Sequence, residues 1–216
     1  MIRAALIAIG LVPAAAAAHP HIFVDTGLEL VTDDTGRLTH VRVTWAYDEY
    51  YSLLITEDLE VDQDFDQVLT EEDTRKLTGF DMQWMEGFEG DLYATLDGEA
   101  LKLSGPSAAT ADLVEGRIVT THLRAVTSRP LIGGHVLSIK PYDPTYYTAY
   151  EVTLPVTMSG LATCMIETVP PDIDARLAEM QQQLLRISPD ADLEENDFPQ
   201  VGEEFATDVR VSCPAS

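Results

Sequence analysis

The stretch IFVDTGLELV, residues 22–31, decides the fold because apolar and polar side chains alternate along it. The residues that share one face are apolar: Ile22, Val24, Leu28 and Leu30. Such alternation is typical of a strand with one buried face. A turn signal follows at residues 32–36, and alternation resumes over 38–46, with Val41, Val43 and Trp45 on one face. The two segments therefore predict a β-hairpin.

The residues before this hairpin predict an export signal. Arg3 supplies a positive charge, residues 4–12 an apolar core, and Ala16 and Ala18 a small-residue cleavage site. The apolar run is too short to span a bilayer, and no later stretch approaches the required length. We therefore expect a signal peptide at 1–18 and a single periplasmic domain at 19–216, with no membrane insertion of the mature chain.

Cleavage after Ala18 would make His19 the first residue, two positions before His21. The α-amine and two imidazoles would then bring three nitrogen donors into one small region, and imidazole suits nickel, zinc and copper. Cleavage one or two residues earlier would remove the amine but leave both imidazoles. The pattern thus predicts a transition-metal site at His19 and His21. The alternative is two exposed polar side chains with no ligand.

Charge and cysteine content limit the class of protein. The chain carries 37 Asp and Glu against 13 Lys and Arg, a net charge of −24. Such a surface repels phosphate backbones and anionic lipid, and it favours cations or a basic partner. Cys164 and Cys213 have no CxxC spacing. In an oxidising compartment such an isolated pair predicts a disulfide.

Residues 47–88 predict an EF-hand-like helix–loop–helix insertion. After Tyr47 the apolar period changes from two to about 3.6, with apolar residues at 50, 51, 54, 55 and 59. Asp48 is a suitable cap for this first helix. A second helix is predicted to run through Leu77 toward Trp84.

The loop between these helices, residues 62–73, matches the twelve-residue calcium loop. The candidate ligands are four carboxylates and one backbone carbonyl: Asp62, Asp64, Asp66, Asp73 and Val68. Gln67 stands where the sharp turn prefers glycine, and Asp73 where a longer glutamate is usual. The sequence therefore leaves calcium occupancy open. The alternative is an acidic connector in which Thr70 caps the second helix.

From Leu92 onward the pattern is mainly β. Asp97-Gly98 predicts a tight hairpin turn, residues 105–111 a loop, and further strands are predicted at 117–126, 135–139, 149–156, 161–166 and 209–213. Along 117–126 the apolar residues place His122 on the face opposite Val119. His40, His122 and His135 are each more typical of a surface or satisfied histidine than of a ligand. The alternative is that one of them folds next to the N-terminal histidine pair.

The C-terminal part adds one helix. After Pro170-Pro171, an amphipathic stripe predicts a helix that packs on the core: Ile173, Leu177, Met180, Leu184 and Ile187. The fold class is therefore α+β and mainly β. We expect an antiparallel β-sheet or sandwich body with the helix–loop–helix insertion and this one C-terminal amphipathic helix.

Four tyrosines surround Asp143 within residues 142–150. The pattern favours a packed aromatic corner whose hydroxyls bond the backbone. The functional alternative is a pocket wall in which Asp143 completes the metal shell of the N-terminal histidines.

Five stretches together resemble the domain of unknown function 1007 family: HPHIFVD (19–25), TWAYDEYYS (44–52), the acidic loop 62–73, GFDMQW (79–84) and YDPTYY (142–147). The resemblance covers essentially the whole mature chain. Members of that family are exported, are described as the periplasmic component of an uncharacterised transport system, and occur beside nickel/cobalt permeases of the NicO type. The resemblance implies a periplasmic accessory to transition-metal transport, with a NicO-like or ABC-type permease as its partner.

Two functions follow from these observations. The first is a periplasmic protein that binds nickel, cobalt or zinc, with copper a further candidate, for a membrane permease. The second is a non-enzymatic interaction module that docks on a permease and retains only a degenerate calcium loop. No Gly-x-Ser-x-Gly, His-Glu-x-x-His or Gly-rich phosphate motif occurs, so we do not expect an enzyme.

Overall fold

The computed structural model describes residues 20–160, 164–174, 176 and 200–215. Eleven strands and two α-helices lie in these ranges. In chain order they are β1 (Ile22–Thr32), β2 (Leu38–Tyr47), α1 (Glu49–Asp58), α2 (Glu71–Leu77), β3 (Leu92–Leu96), β4 (Glu99–Leu101), β5 (Ser107–Val114), β6 (Arg117–Ala125), β7 (Val136–Pro141), β8 (Thr148–Glu151), β9 (Val156–Ser159), β10 (Met165–Val169) and β11 (Asp208–Ser212). A short 3₁₀ helix, Gly202–Phe205, precedes β11.

The strands form two sheets. Sheet one has the order β5-β6-β2-β1-β8, with β9 also beside β1, and sheet two has the order β10-β11-β7-β3-β4. β1 and β2 pair as the predicted antiparallel hairpin, with Thr26 opposite Trp45. Most other pairs are antiparallel, but β8 and β9 run parallel to β1. The prediction of a mainly β, α+β fold is confirmed.

One hydrophobic core joins the two sheets. Sheet one contributes the even-numbered residues of β1 and the odd-numbered residues of β2, among them Leu30 and Val43, which are fully buried. Sheet two contributes inward residues of its central strands, among them Leu137 and Val209. The alternation in residues 22–46 therefore predicts the buried face of the hairpin correctly, because that face packs on a second sheet.

The helix–loop–helix insertion is present. Asp48 caps α1 by accepting from the Tyr51 N–H, as predicted. Tyr51, Ile55 and Leu59 pack against the core, whereas the other two apolar positions of this helix, Tyr50 and Leu54, are exposed. Thr70 caps α2, which ends at Leu77 and does not continue toward Trp84.

Several predicted boundaries were wrong. Residues 107–111 were expected in a loop but belong to β5, which pairs with β6. The strand expected at 149–156 is divided into β8 and β9. Pro155 lies at this break, where it has no N–H to donate to a ladder. The strand expected at 161–166 is β10, and residues 161–163 lie outside the described part.

His122 lies on the face of β6 opposite Val119, as predicted. The prediction that it is a surface or satisfied histidine was wrong, because its side chain is fully buried and neither ring nitrogen has a hydrogen-bond partner. In β6 the buried residues are Ile118, Thr120, His122 and Arg124. On the other face, Val119, Leu123 and Ala125 are only partly buried. The polar face of β6 is therefore the face that turns inward.

Most of the predicted C-terminal helix lies outside the described residues, and its first stripe residue, Ile173, is exposed.

Cys164 and Cys213 form the predicted disulfide. It joins the residue before β10 to the residue after β11, across a separation of 49 positions. Such bonds are typical of proteins that fold in an oxidising compartment. None of the helices in the described ranges is both long and apolar enough to cross a bilayer.

Replacing both cysteines by serine should lower the free energy of unfolding by about 4 kcal/mol, because the disulfide restricts a long loop of the unfolded chain. Urea denaturation of the oxidised protein and of the Cys164→Ser/Cys213→Ser variant measures this difference. A reducing agent should destabilise the wild-type protein and leave the variant unchanged. Equal stability of the two oxidised proteins would contradict the prediction.

Candidate functional site

His21 lies at the start of β1, on the surface. Its side chain is exposed, and its backbone N–H donates to the Tyr147 carbonyl at 2.8 Å. The ring centroids of His21 and Tyr147 are 4.9 Å apart. The first of the predicted metal-binding residues is therefore held beside the tyrosine-rich turn. The second, His19, lies outside the described residues.

Asp143 organises that turn. Its Oδ1 accepts from the Thr145 N–H at 2.8 Å and from the Thr145 hydroxyl at 2.9 Å, and its Oδ2 accepts from the Thr148 N–H at 3.0 Å. These bonds fix the entry of the chain into β8, which pairs with the start of β1. Asp143 therefore lies in the same region as His21, but three of its lone-pair positions already serve the turn.

The acidic loop brings three of its predicted ligands together. One carboxylate oxygen from each of Asp62, Asp64 and Asp66 lies within 4.8 Å of the others. Among the residues that the structure describes, no other three histidine, cysteine or acidic side chains converge so closely. The Asp62 carboxylate also accepts from the Gln67 N–H at 3.0 Å, which closes the first half of the loop.

The second half of the loop departs from a calcium loop. Gln67 has a φ of +62°, the left-handed conformation that was predicted to be unfavourable without glycine. Asp73 belongs to α2 and forms a capping box with Thr70, whose N–H and hydroxyl both donate to Asp73 Oδ2. Asp73 therefore stabilises the helix start, and the group of converging carboxylates contains only the other three aspartates. Val68 is exposed, and its N–H donates to Asp66 Oδ1 at 2.7 Å.

A third group of polar residues was not anticipated from the sequence. Inward-facing Thr120, His122 and Arg124 of β6 are each at most 1% exposed. They lie beside Trp45 of β2, whose ring centroid is 4.7 Å from that of His122. Polar side chains are seldom so fully buried unless they are paired.

The segment between α2 and β3, residues 78–91, covers this polar row, and we name it the strap. Asp81 anchors one end, since its Oδ2 accepts from the Tyr47 hydroxyl at 2.7 Å and from the Thr120 hydroxyl at 2.8 Å. Asp91 anchors the other end, where its Oδ2 accepts from the Tyr150 hydroxyl at 2.9 Å. The half-buried Asp81 and the buried Asp91 therefore tie the strap to sheet one.

Trp84 fills the middle of the strap. Its ring lies 4.6 Å from the guanidinium carbon of Arg124, a cation–π distance, and 5.7 Å edge-to-face from the His122 ring. Arg124 also donates to the backbone carbonyls of Ser104 and Glu89. Gly90 has a φ of +66°, and a Cβ there would lie 2.6 Å from Arg124 Nη1. Only glycine fits at that position of the strap.

Buried polar side-chain atoms without a hydrogen-bond partner cluster in the strap and the residues beneath it. Among the described residues, the buried side-chain atoms without a hydrogen-bond partner are Thr26 Oγ1, Trp45 Nε1, Asp81 Oδ1, Asp91 Oδ1, both ring nitrogens of His122, and Arg124 Nη1. Unpaired buried polar atoms cost about 1–3 kcal/mol each. Their concentration in one region is more typical of a functional site than of a core built for stability.

Burial shifts the protonation equilibria of this region. It raises the pKa of Asp91 to about 7, with a smaller contribution from the nearby Asp143 carboxylate. Burial likewise raises the pKa of Asp81, against the hydrogen bonds from Tyr47 and Thr120. It lowers the pKa of His122 to about 3, assisted by the Arg124 charge. At neutral pH the His122 ring is therefore uncharged, and the Asp91 carboxyl is present in both its protonated and its ionised form.

Alternation along β6 concealed this site because both faces of the strand carry apolar residues. Ile118 and Val126 share the parity of His122 and are buried, and they bracket the polar row. The apolar residues at both ends of this face are the signal that could have identified it as the inward one. The strap itself has no periodicity from which its position could have been predicted.

The chain belongs to the family described as protein of unknown function (DUF1007), whose model matches residues 4–213. The resemblance seen in the sequence is thereby confirmed. A comparison with curated proteins found no match. Two stretches that carry the resemblance, 44–52 and 79–84, supply Trp45, Tyr47, Asp81 and Trp84, and they meet in the buried polar region.

The raised pKa of Asp91 predicts a specific pH dependence of stability. Between about pH 4 and about pH 7 the folded protein binds a proton at Asp91 that the unfolded chain releases, so this carboxyl makes stability fall as pH rises. Asp91→Asn removes the charge but keeps an acceptor for Tyr150. Relative to wild type, the variant should gain up to about 4 kcal/mol of unfolding free energy between these limits.

Denaturant titrations over this pH range measure the difference between the two proteins. His122 contributes in the opposite direction, because its pKa is lowered: as pH falls, the unfolded chain binds a proton at this histidine that the folded protein does not, and stability decreases. That contribution is common to both proteins and cancels in the difference. Asp34→Asn, at an exposed aspartate, is the matched control. A difference between Asp91→Asn and wild type that does not vary with pH would contradict the assigned pKa.

Proposed function

From its family membership and the position of His21, we propose that this protein is a non-enzymatic periplasmic accessory to transition-metal transport. It would bind nickel, cobalt or zinc, with copper a further candidate, and exchange the ion with a membrane permease of the NicO-like or ABC type. The cleaved signal peptide would deliver the mature chain to the periplasm.

The observation that supports this proposal most directly is the exposed imidazole of His21 at the start of the folded domain. The backbone bond to Tyr147 holds this residue at the surface, and His19 precedes it by two positions. After cleavage following Ala18, the α-amine and imidazole of His19 and the imidazole of His21 would supply nitrogen ligands. Asp143 is a further candidate, because a carboxylate with three hydrogen bonds keeps about one lone-pair position.

Two properties of the whole chain agree with this function. A net charge of −24 raises the local concentration of cations around the protein. The disulfide suits an oxidising compartment such as the periplasm. Neither property selects among nickel, cobalt and zinc.

Calorimetric titration of the mature protein with Ni²⁺ and Zn²⁺ tests the ligand assignment. His21→Ala and His19→Ala/His21→Ala should each weaken binding by about tenfold or more, because a lost imidazole removes a coordinate bond. The protein must carry no histidine tag, and mass spectrometry must identify its N-terminus. His135→Ala removes another exposed histidine and is the control. Unchanged affinity in the double variant would exclude these ligands.

The second candidate is an interaction module whose acidic loop has only a residual calcium site. The convergence of Asp62, Asp64 and Asp66 favours it. Asp73 serves the helix cap, so the loop would offer fewer carboxylate ligands than a complete calcium site. Such a loop would bind calcium weakly, in about the millimolar range.

Calcium titration followed by NMR shifts of residues 62–68 tests this candidate. Asp64→Asn/Asp66→Asn should abolish the response, and Gln67→Gly should strengthen it, because glycine adopts the positive φ at lower cost. Asp58→Asn removes a nearby exposed carboxylate and is the control. A response that survives in the double variant would place the ion elsewhere.

A further inference from the structure

Helix α1 carries large apolar side chains on its outer face as well as on its inner face. Its inner face buries Ser52 and Thr56, and Tyr51, Ile55 and Leu59 pack beside them against the core. Its outer face exposes 70% of Tyr50 and 44% each of Leu53 and Leu54. A surface helix normally directs polar side chains outward, so these exposed apolar side chains depart from the usual pattern.

The exposed apolar residues of α1 form one stripe. Leu53 and Leu54 lie three and four positions after Tyr50, so the three side chains are neighbours on the helix surface. Single exposed leucines are common, but adjacent ones on a regular element are characteristic of interaction sites. We name Glu49, Tyr50, Leu53, Leu54, Glu57 and Asp58 the outer face of α1; all six are exposed.

This outer face is held in a fixed position before any partner arrives. The Asp48 carboxylate accepts from the N–H groups of Tyr51 and Phe23, which ties the helix start to β1. Inside the helix, the Ser52 hydroxyl accepts from the Ile118 N–H at 2.9 Å, which ties the helix to β6. A partner would therefore meet a rigid helix, and binding would require little ordering of α1.

Charge restricts what can cover the outer face. Glu49 precedes the apolar stripe and Glu57 and Asp58 follow it. Residues 43–74 contain eleven acidic residues and no Lys or Arg. A second copy of this chain would bring the same acidic face against itself, and anionic lipid would be repelled. A surface with apolar side chains between basic ones is complementary to both features.

We propose that the outer face of α1 docks a basic amphipathic helix of a partner protein. Leu53 and Leu54, with Tyr50, would contact the apolar side of that helix, and the acidic residues at either end would face its Lys and Arg side chains. This is the helix-against-apolar-surface mode of recognition. The inference does not depend on metal at His21 or calcium in the acidic loop, so it can fail separately from the proposed function.

The test uses the full mature chain with its disulfide intact. A chelator in the buffer removes metal ions. The probe is a fluorescent 18-residue Lys/Leu peptide of helical amphipathic pattern, about five turns long. Its controls are the same composition in scrambled order and the same pattern with Glu for Lys. Fluorescence anisotropy should show the patterned Lys peptide binding at least about tenfold more tightly than either control, as expected when contact needs both charge and an apolar stripe.

Variants then locate the contact. Leu53→Ser/Leu54→Ser should weaken binding of the patterned peptide at least about tenfold, through loss of apolar contact. Val114→Ser/Leu131→Ser removes two side chains of similar exposure elsewhere on the surface and should change affinity less than about twofold. In the wild-type protein, NMR shifts induced by the peptide should include the amides of α1.

Several outcomes would overturn the proposal. One is equal binding of the patterned and scrambled Lys peptides; another is unchanged affinity in Leu53→Ser/Leu54→Ser. Sedimentation that shows a dimer abolished by this double substitution would assign the face to a second copy of the chain. Binding to vesicles of anionic lipid that the same substitution abolishes would assign it to a membrane surface.

Discussion

The pairing of β1 along both of its edges is the constraint on which the rest of the structure depends. β2 joins it antiparallel on one side, and β8 and β9 join it in parallel on the other. This arrangement holds the start of the domain, the tyrosine-rich turn and the beginning of α1 at one end of sheet one. His21, Asp143 and Asp48 are therefore neighbours of the same strand end, although they are distant in sequence.

The acidic residues of this chain serve two opposite purposes. The exposed ones repel one another and attract cations, and three of them converge in the loop after α1. The half-buried Asp81 and the buried Asp91 anchor the strap through tyrosine and threonine hydroxyls. Burial raises the pKa of both carboxyls, because a charged carboxylate loses solvation there. Formal net charge alone does not distinguish the two groups.

The unpaired buried polar atoms beneath the strap lower the stability of the folded protein. His122 and Arg124 are buried with unpaired nitrogens, and Trp84 supplies much of their cover. On the surface, the outer face of α1 leaves the apolar side chains of Tyr50, Leu53 and Leu54 exposed to water. Neither feature improves the folded state by itself. Both features are of the kind found where a protein surface or cavity contacts another molecule.

The sequence by itself determined the β1–β2 hairpin, the caps at Asp48 and Thr70, the disulfide and the left-handed turn at Gln67. Each of these depends on residues close in the chain or on a pair with no alternative partner. Only the tertiary structure decided that β6 turns its polar face inward and that the strap covers it. These outcomes depend on which surface packs over β6. Periodicity did not decide either outcome, because both faces of β6 carry apolar residues and the strap has no regular repeat.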